Sequence, residues 1–206
     1  MNENLIANIL SLTLFIFSLF ISLRAFYLYF KSRSPRLFIL ALSMFIISLT
    51  AIASYIGDNI TGIPINVGWF KYTAQTVSFL FVGLSLARNS DKYLRHLMIW
   101  QIVTTVLLVI LLTPIMPAEI PTMLKIALGG SRSLICALIF AFYVGAFMTK
   151  ETFFSAMMSL AFLALSAGYV LNIPKYSNSH LMLLDNVGDT TRIFGLVILL
   201  IAIFVG

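Results

Sequence analysis

Charge is what this sequence most lacks. Of its 206 residues only 10% are Asp, Glu, Lys or Arg, while 61% are hydrophobic. A soluble domain carries roughly a quarter of its residues charged. With a mean hydropathy of +1.04, a water-soluble globule is excluded. Cysteine is almost absent: Cys136 stands alone inside an apolar run, which rules out an intrachain disulfide and dithiol redox chemistry. The two histidines, His96 and His180, fall at opposite membrane faces and cannot share a haem iron. They also undersupply a hydrolytic zinc site, which takes three protein ligands. No Gly-rich phosphate loop is found, and no Ser–His pair lies at matched depth. Val187-Gly188-Asp189 lacks the first glycine of a Gly-x-Gly-Asp protease motif, and no Tyr-Asp partner exists. No catalytic residue, metal site or cofactor is assigned.

What the sequence does have is seven apolar runs joined by short loops. They predict helices over about 5–29, 37–56, 66–87, 94–115, 122–148, 152–173 and 185–205. Each covers a hydrocarbon core of ~30 Å at 1.5 Å rise per residue. Punctuation supports the boundaries: Pro35 follows the first basic turn, Gly57 and Pro64 flank the second break, Pro114 and Pro117 end the fourth run, and Pro174 ends the sixth. The loop before the seventh run is predicted the longest. The opening residues carry no Lys or Arg and no small-residue cleavage site closes the first run, so it reads as a retained helix. The reading is one all-α domain, a seven-helix transmembrane bundle with no separate linker. A three-plus-one-plus-three repeat finds no shared motif beyond Gly57-Asp58 and Gly188-Asp189.

The formal net charge of +6 belongs to loops and speaks for orientation, not for nucleic acid. Lys31, Arg33, Arg36, Arg88, Lys92, Arg95 and Lys150 follow the odd-numbered helices. The opposite side offers Lys175 in a loop, with Lys71 and Lys125 near helix ends. The positive-inside bias then predicts N-out and C-in, in the cytoplasmic membrane, with the lipid bilayer as principal partner. Arg24 is close enough to the cytoplasmic end to snorkel, and Trp69 and Trp100 are expected at membrane boundaries.

Helix 5 repeats a small residue every fourth position at Gly129, Ser133, Ala137, Ala141 and Gly145. Such a ridge lets a neighbouring backbone approach. It serves either packing within the bundle or a homo-oligomer seam. A shorter version runs through Ala156, Leu160, Ala164 and Gly168.

Ionisable side chains at membrane depth need a partner or a water-filled cavity. Arg132 lies about ten residues into helix 5, roughly 15 Å from its start. Arg192 lies in helix 7, with Asp189 three residues and Asp185 seven residues before it on one face. Lys71 and Gln75 follow one another on helix 3, Lys125 precedes Arg132 by two turns, and Asp58 ends helix 2. Under the predicted orientation these residues share the outer half of the bundle. Four cations against three anions leave a cation for an anionic guest, and guanidinium geometry suits a carboxylate or phosphate.

A seven-helix bundle with short loops and a polar outer half resembles seven-helix receptors and bacterial seven-helix sensor modules in architecture. Retinal proteins share the topology, but the last helix here has no lysine for a Schiff base. The resemblance implies a sensor or receptor module binding a small anionic ligand. Arg132 and Arg192 would clamp it, Lys71 and Lys125 steer it, and Asp58, Asp185, Asp189 and Gln75 orient it. Ending at Gly206, such a module would signal through a membrane partner or belong to a longer chain. The alternatives are a small transporter or channel component, and an assembly subunit whose charges hold helix register.

Overall fold

The computed structural model describes residues 3–59, 66–113, 119–177 and 182–205. Among them the apolar runs form seven α-helices: α1 (Glu3–Ser32), α2 (Pro35–Asn59), α3 (Val67–Ala87), α4 (Asp91–Ile110), α5 (Thr122–Lys150), α6 (Phe153–Ser177) and α7 (Met182–Val205). Six of these are long and apolar enough to cross a membrane; α3 falls short. The reason is its first half, where Lys71, Thr73, Gln75 and Thr76 interrupt the apolar run. The chain is an all-α, multi-pass integral membrane protein.

Neighbour relations explain how α3 carries so many polar groups. Helix α1 packs on α2, α2 on α3, α3 on α5, α5 on α6, α6 on α7, and α7 returns to α1. Six helices thus close a ring. Helix α4 stands outside it, against α2 and α3, so α3 is covered from three sides. Its buried face includes Phe70, Gln75, Ser78, Phe79 and Ser85. The main core gathers Ile21, Met44, Phe79, Cys136, Phe162, Leu165, Leu196 and Leu199 from the six ring helices. Large apolar residues such as Phe20, Val106, Leu134 and Leu138 point outward, as expected where the surrounding medium is acyl chain.

In lipid, burial supplies little drive for helix association, so close packing and interhelical hydrogen bonds must supply it. Ser133 Oγ donates to Ser166 O at 3.1 Å, and Ser166 Oγ returns the bond to Ser133 O at 3.0 Å. Gln101 Nε2 ties α4 to α2 through Ile39 O at 3.0 Å and Ser43 Oγ at 2.9 Å. Ser43 Oγ donates to Ser78 O at 3.0 Å, linking α2 to α3.

Several expectations are corrected. Helix α6 does not stop before Pro174 but runs through it to Ser177. Its last turn is held by Tyr176, whose ring meets Tyr72 of α3 edge-on at 5.6 Å, and by Lys175, which pairs with Asp185 of α7. A proline is tolerated inside a membrane helix when neighbours hold the segment. Most of the predicted longest loop is therefore helix, and the shortest helix among the described residues is α4, at 20 residues. Helix α4 ends at Ile110, with Leu111 N–H and Leu112 N–H tightening onto Leu108 O and Val109 O. Its orphan carbonyl at Leu112 accepts from Asn66 N–H at 2.9 Å, just before α3. Pro64, Pro114 and Pro117 lie outside the described residues. Trp100 sits halfway along α4, 64% exposed to the surroundings, and not at a boundary. The Arg24 guanidinium packs 4.7 Å from the ring centroid of Phe204, in the last turn of α7.

The small-residue ridge of α5 divides. Gly129 and Ser133 are buried, with Gly129 close against Tyr176. Ala137, Ala141 and Gly145 face outward. The tightest helix contact lies elsewhere, between α6 and α7. A Cβ at Gly168 would lie 2.5 Å from Arg192 Cγ and 2.7 Å from Gly188 O; one at Gly195 would lie 3.0 Å from Ala161 O. One at Gly188 would strike Asn172 Oδ1. The α6 face that matters is Ala161, Leu165, Gly168 and Asn172, one position round from the predicted stripe, of which only Gly168 takes part.

Candidate functional site

Close packing of α6 on α7 brings two polar turns together. Arg192 Nη2 pairs with Asp189 Oδ1 one turn away. The same carboxylate oxygen accepts from Asn172 Nδ2 of α6 at 2.8 Å. Arg192 is only 7% exposed, and its Nε–H has no hydrogen-bond partner. Its guanidinium also lies 5.0 Å from the centroid of Tyr169, on α6. A cation over an aromatic ring gains from the ring quadrupole, most when water is excluded.

Tyr169 serves a second arginine. Arg132 of α5 lies 4.8 Å from the Tyr169 centroid and 5.2 Å from that of Tyr72. At 2% exposure it is the largest of the fully buried side chains. Arg132 Nη1 donates to Gln75 Oε1, and Nε donates to Leu128 O of its own helix at 3.3 Å. Gln75 Nε2 then donates to Thr50 Oγ1 of α2 at 2.9 Å. The result is a polar relay from α5 through α3 to α2, in which aromatic faces and amide oxygens stabilise Arg132, with no carboxylate paired to it among the described residues.

A cleft follows the axis of the ring. Its walls are Ser11 and Leu14 of α1, Ile47, Ala51 and Ser54 of α2, Lys71, Gln75 and Phe79 of α3, Leu165 and Tyr169 of α6, and Asp189, Arg192 and Leu196 of α7. Its cavity volume is about 30 Å³, room for a water or two. Lys71 and Gln75 from α3 and the Asp189–Arg192 pair from α7 thus line one space.

The predicted site residues therefore part company. Lys71, Gln75, Asp189 and Arg192 line the cleft. Arg132 is not on its wall; it sits behind Gln75 and Tyr169. Asp185 pairs with Lys175 between α6 and α7, one turn above Asp189. Lys125 is half-buried near the start of α5 and does not line the cleft. The side chain of Asp58 lies outside the described residues. Among the described residues no three His, Cys, Asp or Glu side chains gather as a metal site would require.

Sequence reasoning missed Tyr169, Asn172, Thr50 and Ser54. No charge lies in the interior of helix 6, so a search for ionisable side chains at membrane depth passes it over. The available signal was Gly168-Tyr169 with Asn172 three residues on: a close-approach residue beside two polar-capable side chains on one face. Comparison with protein-family models, with curated proteins and with solved structures finds no match for this chain.

Proposed function

We propose that the chain is a seven-span, N-out and C-in protein of the cytoplasmic membrane that works as a sensor or receptor-like module. Its ligand is a small anion held in the axial cleft, in the outer half of the bundle. One observation carries this reading: Arg192, buried on the cleft wall, keeps an unpartnered Nε–H directed at no protein acceptor. A buried donor left unmade is costly, and an anionic guest satisfies it. Arg192 receives the anion, Lys71 adds charge from the facing wall, and Asp189 and Asn172 hold the guanidinium. Arg132 acts as a positioning residue through Gln75. Lys125, Asp58 and Asp185 steer the approach at the outer end. The apolar residues at the inner end of the cleft favour binding over conduction.

Native mass spectrometry of the gently extracted protein tests this. The expected result is a discrete small adduct on the wild type, absent from Arg192→Gln. Bare protein in both would count against a ligand. The same spectra report oligomeric state, and the outward-facing Ala137, Ala141 and Gly145 of α5 support a homodimer seam. A second reading draws on Arg132, whose Nη1 and Nε already donate to Gln75 and Leu128 O and whose guanidinium lies against two tyrosine rings, with only Nη2 unpartnered. On that reading the charges only hold helix register, and no adduct is found.

Orientation has its own test. Cys136 is fully buried, so the wild type offers little background to a membrane-impermeant maleimide. On intact cells Lys175→Cys is expected to label and Lys150→Cys to label only after permeabilisation. The reverse pattern would invert the topology.

A further inference from the structure

Residues 4–57 and 190–206 contain no Asp or Glu, so nearly all of α1 and α2 and most of α7 lack an anion. Arg24 of α1 nevertheless sits half-buried among them. Arg192 has Asp189 and Arg132 has Gln75, but Arg24 has rings. Its guanidinium lies 4.7 Å from the centroid of Phe204 on α7 and 5.4 Å from that of Tyr27. Its Nε–H has no acceptor among the described residues, and neither of the ion pairs among them includes it. A ring face attracts a cation without neutralising it. Arg24 lies eight residues before the end of α1 at Ser32, about 12 Å along the axis, where a long side chain reaches the head-group layer. The same face of α1 continues toward water with Tyr27 and Lys31, three and seven residues on, both exposed. Toward the membrane it continues with exposed Phe20, and α7 adds exposed Ile201 and Phe204. Apolar surface, guanidinium, phenol and ammonium thus succeed one another, the order of groups that an anionic lipid would meet.

We infer that this face of α1 and α7 binds an anionic glycerophospholipid of the leaflet on the Lys31 side. The lipid phosphodiester accepts from the Arg24 guanidinium, whose fork suits a phosphate. Lys31 attracts the outer part of the head group, and an acyl chain lies along Phe20 and Ile201. A choline lipid carries the same phosphate but brings its ammonium against Lys31, like charge to like. Arg24 is not on the wall of the axial cleft, so this site stands whatever the cleft holds. Under the proposed orientation the leaflet is the cytoplasmic one, where anionic lipids set a negative surface potential.

The test offers the full chain, in detergent micelles, an equimolar mixture of dioleoylphosphatidylglycerol and dioleoylphosphatidylcholine. Native mass spectrometry reads the ratio of the two lipids retained. The wild type is expected to enrich phosphatidylglycerol, and Arg24→Gln to lower that enrichment about fivefold, the effect of one cation near an anionic surface. Lys31→Gln, at an exposed position, should lower it in the same direction. Lys92→Gln, an equally exposed cation on α4, should leave it unchanged. Glycerophosphate, which has the head group without acyl chains, should not displace the lipid at the same concentration. Four results overturn the inference. They are no preference for phosphatidylglycerol in the wild type, an undiminished preference in folded Arg24→Gln, a loss in Lys92→Gln as large as in Arg24→Gln, and full displacement by glycerophosphate. The third reports general surface charge, and the fourth a site for free anions. If Arg24→Gln does not fold, Lys31→Gln against Lys92→Gln decides: equal ratios overturn the inference, and a selective loss in Lys31→Gln supports it.

Discussion

Arg192→Met is expected to destabilise the protein by about 3–5 kcal/mol, the usual cost of leaving one member of a buried ion pair without its partner. Its side chain and that of Asp189 are only 8% and 19% exposed, so water does little to screen the orphaned carboxylate. Asn172 continues to donate to Asp189 Oδ1, but one neutral donor does not replace a guanidinium. The loss should exceed the ~0.6 kcal/mol typical of a single interhelical hydrogen bond in a membrane protein. Reversible unfolding in mixed micelles measures it. Asp189→Asn combined with Arg192→Met should be milder than the sum of the single changes, because no uncompensated charge remains. Additive single effects would mean that the pair is not energetically coupled.

The second large effect is expected at a glycine. Gly188→Ala places a methyl group onto Asn172 Oδ1 and 2.8 Å from Gly168 O. Backbone cannot yield as a flexible side chain can, so α6 and α7 must separate. Overpacking of this kind costs about 1–3 kcal/mol, and here it also displaces the amide that holds Asp189. Gly145→Ala is the internal control. A Cβ there meets nothing within 4 Å, and alanine is the better helix former by roughly 0.5–1 kcal/mol. Thermal unfolding of the two variants should therefore move in opposite directions. Equal shifts would show that close approach of α6 and α7 is not what Gly188 provides.

Those two glycines show where sequence patterns mislead. Fourfold spacing singled out Gly129, Ser133, Ala137, Ala141 and Gly145 as one face, and geometrically they are one. Only the first two are buried, since α5 touches α3 and α6 along part of its length and presents the rest outward. Spacing defines a face of a helix; it does not say what stands opposite. Gly188 and Gly195 are seven residues apart with Arg192 between, a pattern that a search for unbroken small residues passes over.

The charged cluster was legible to a similar degree. Asp189 and Arg192 are neighbours by helix geometry alone, and Lys71 and Gln75 share a face for the same reason. Arg132 also stood out, as a charge too deep to reach either surface. Its solution was not legible. Tyr72 and Tyr169 are ordinary aromatics in a chain with 18 Phe and 8 Tyr. Their position over the guanidinium depends on how α3, α5 and α6 meet. Asp185 illustrates the opposite error. It shares a face with Asp189, yet α6 continues past Pro174 and delivers Lys175 to it.

What the sequence determined by itself is the class of solvent and the number and rough extent of the helices. Apolar length and scarce charge are properties of each segment alone, and in a bilayer a continuous apolar run of about 20 residues satisfies its backbone polar groups within itself as a helix. Tertiary structure alone decided which helices are neighbours: that α4 stands outside the ring, that polar α3 is sheltered within it, and that Arg192 and Lys71 face one cleft while Arg132 is held behind it. Those outcomes turn on contacts between residues far apart in the chain; the close approach of α6 and α7, for one, needs the missing side chains at Gly168, Gly188 and Gly195. Periodicity along one helix carries no information about them.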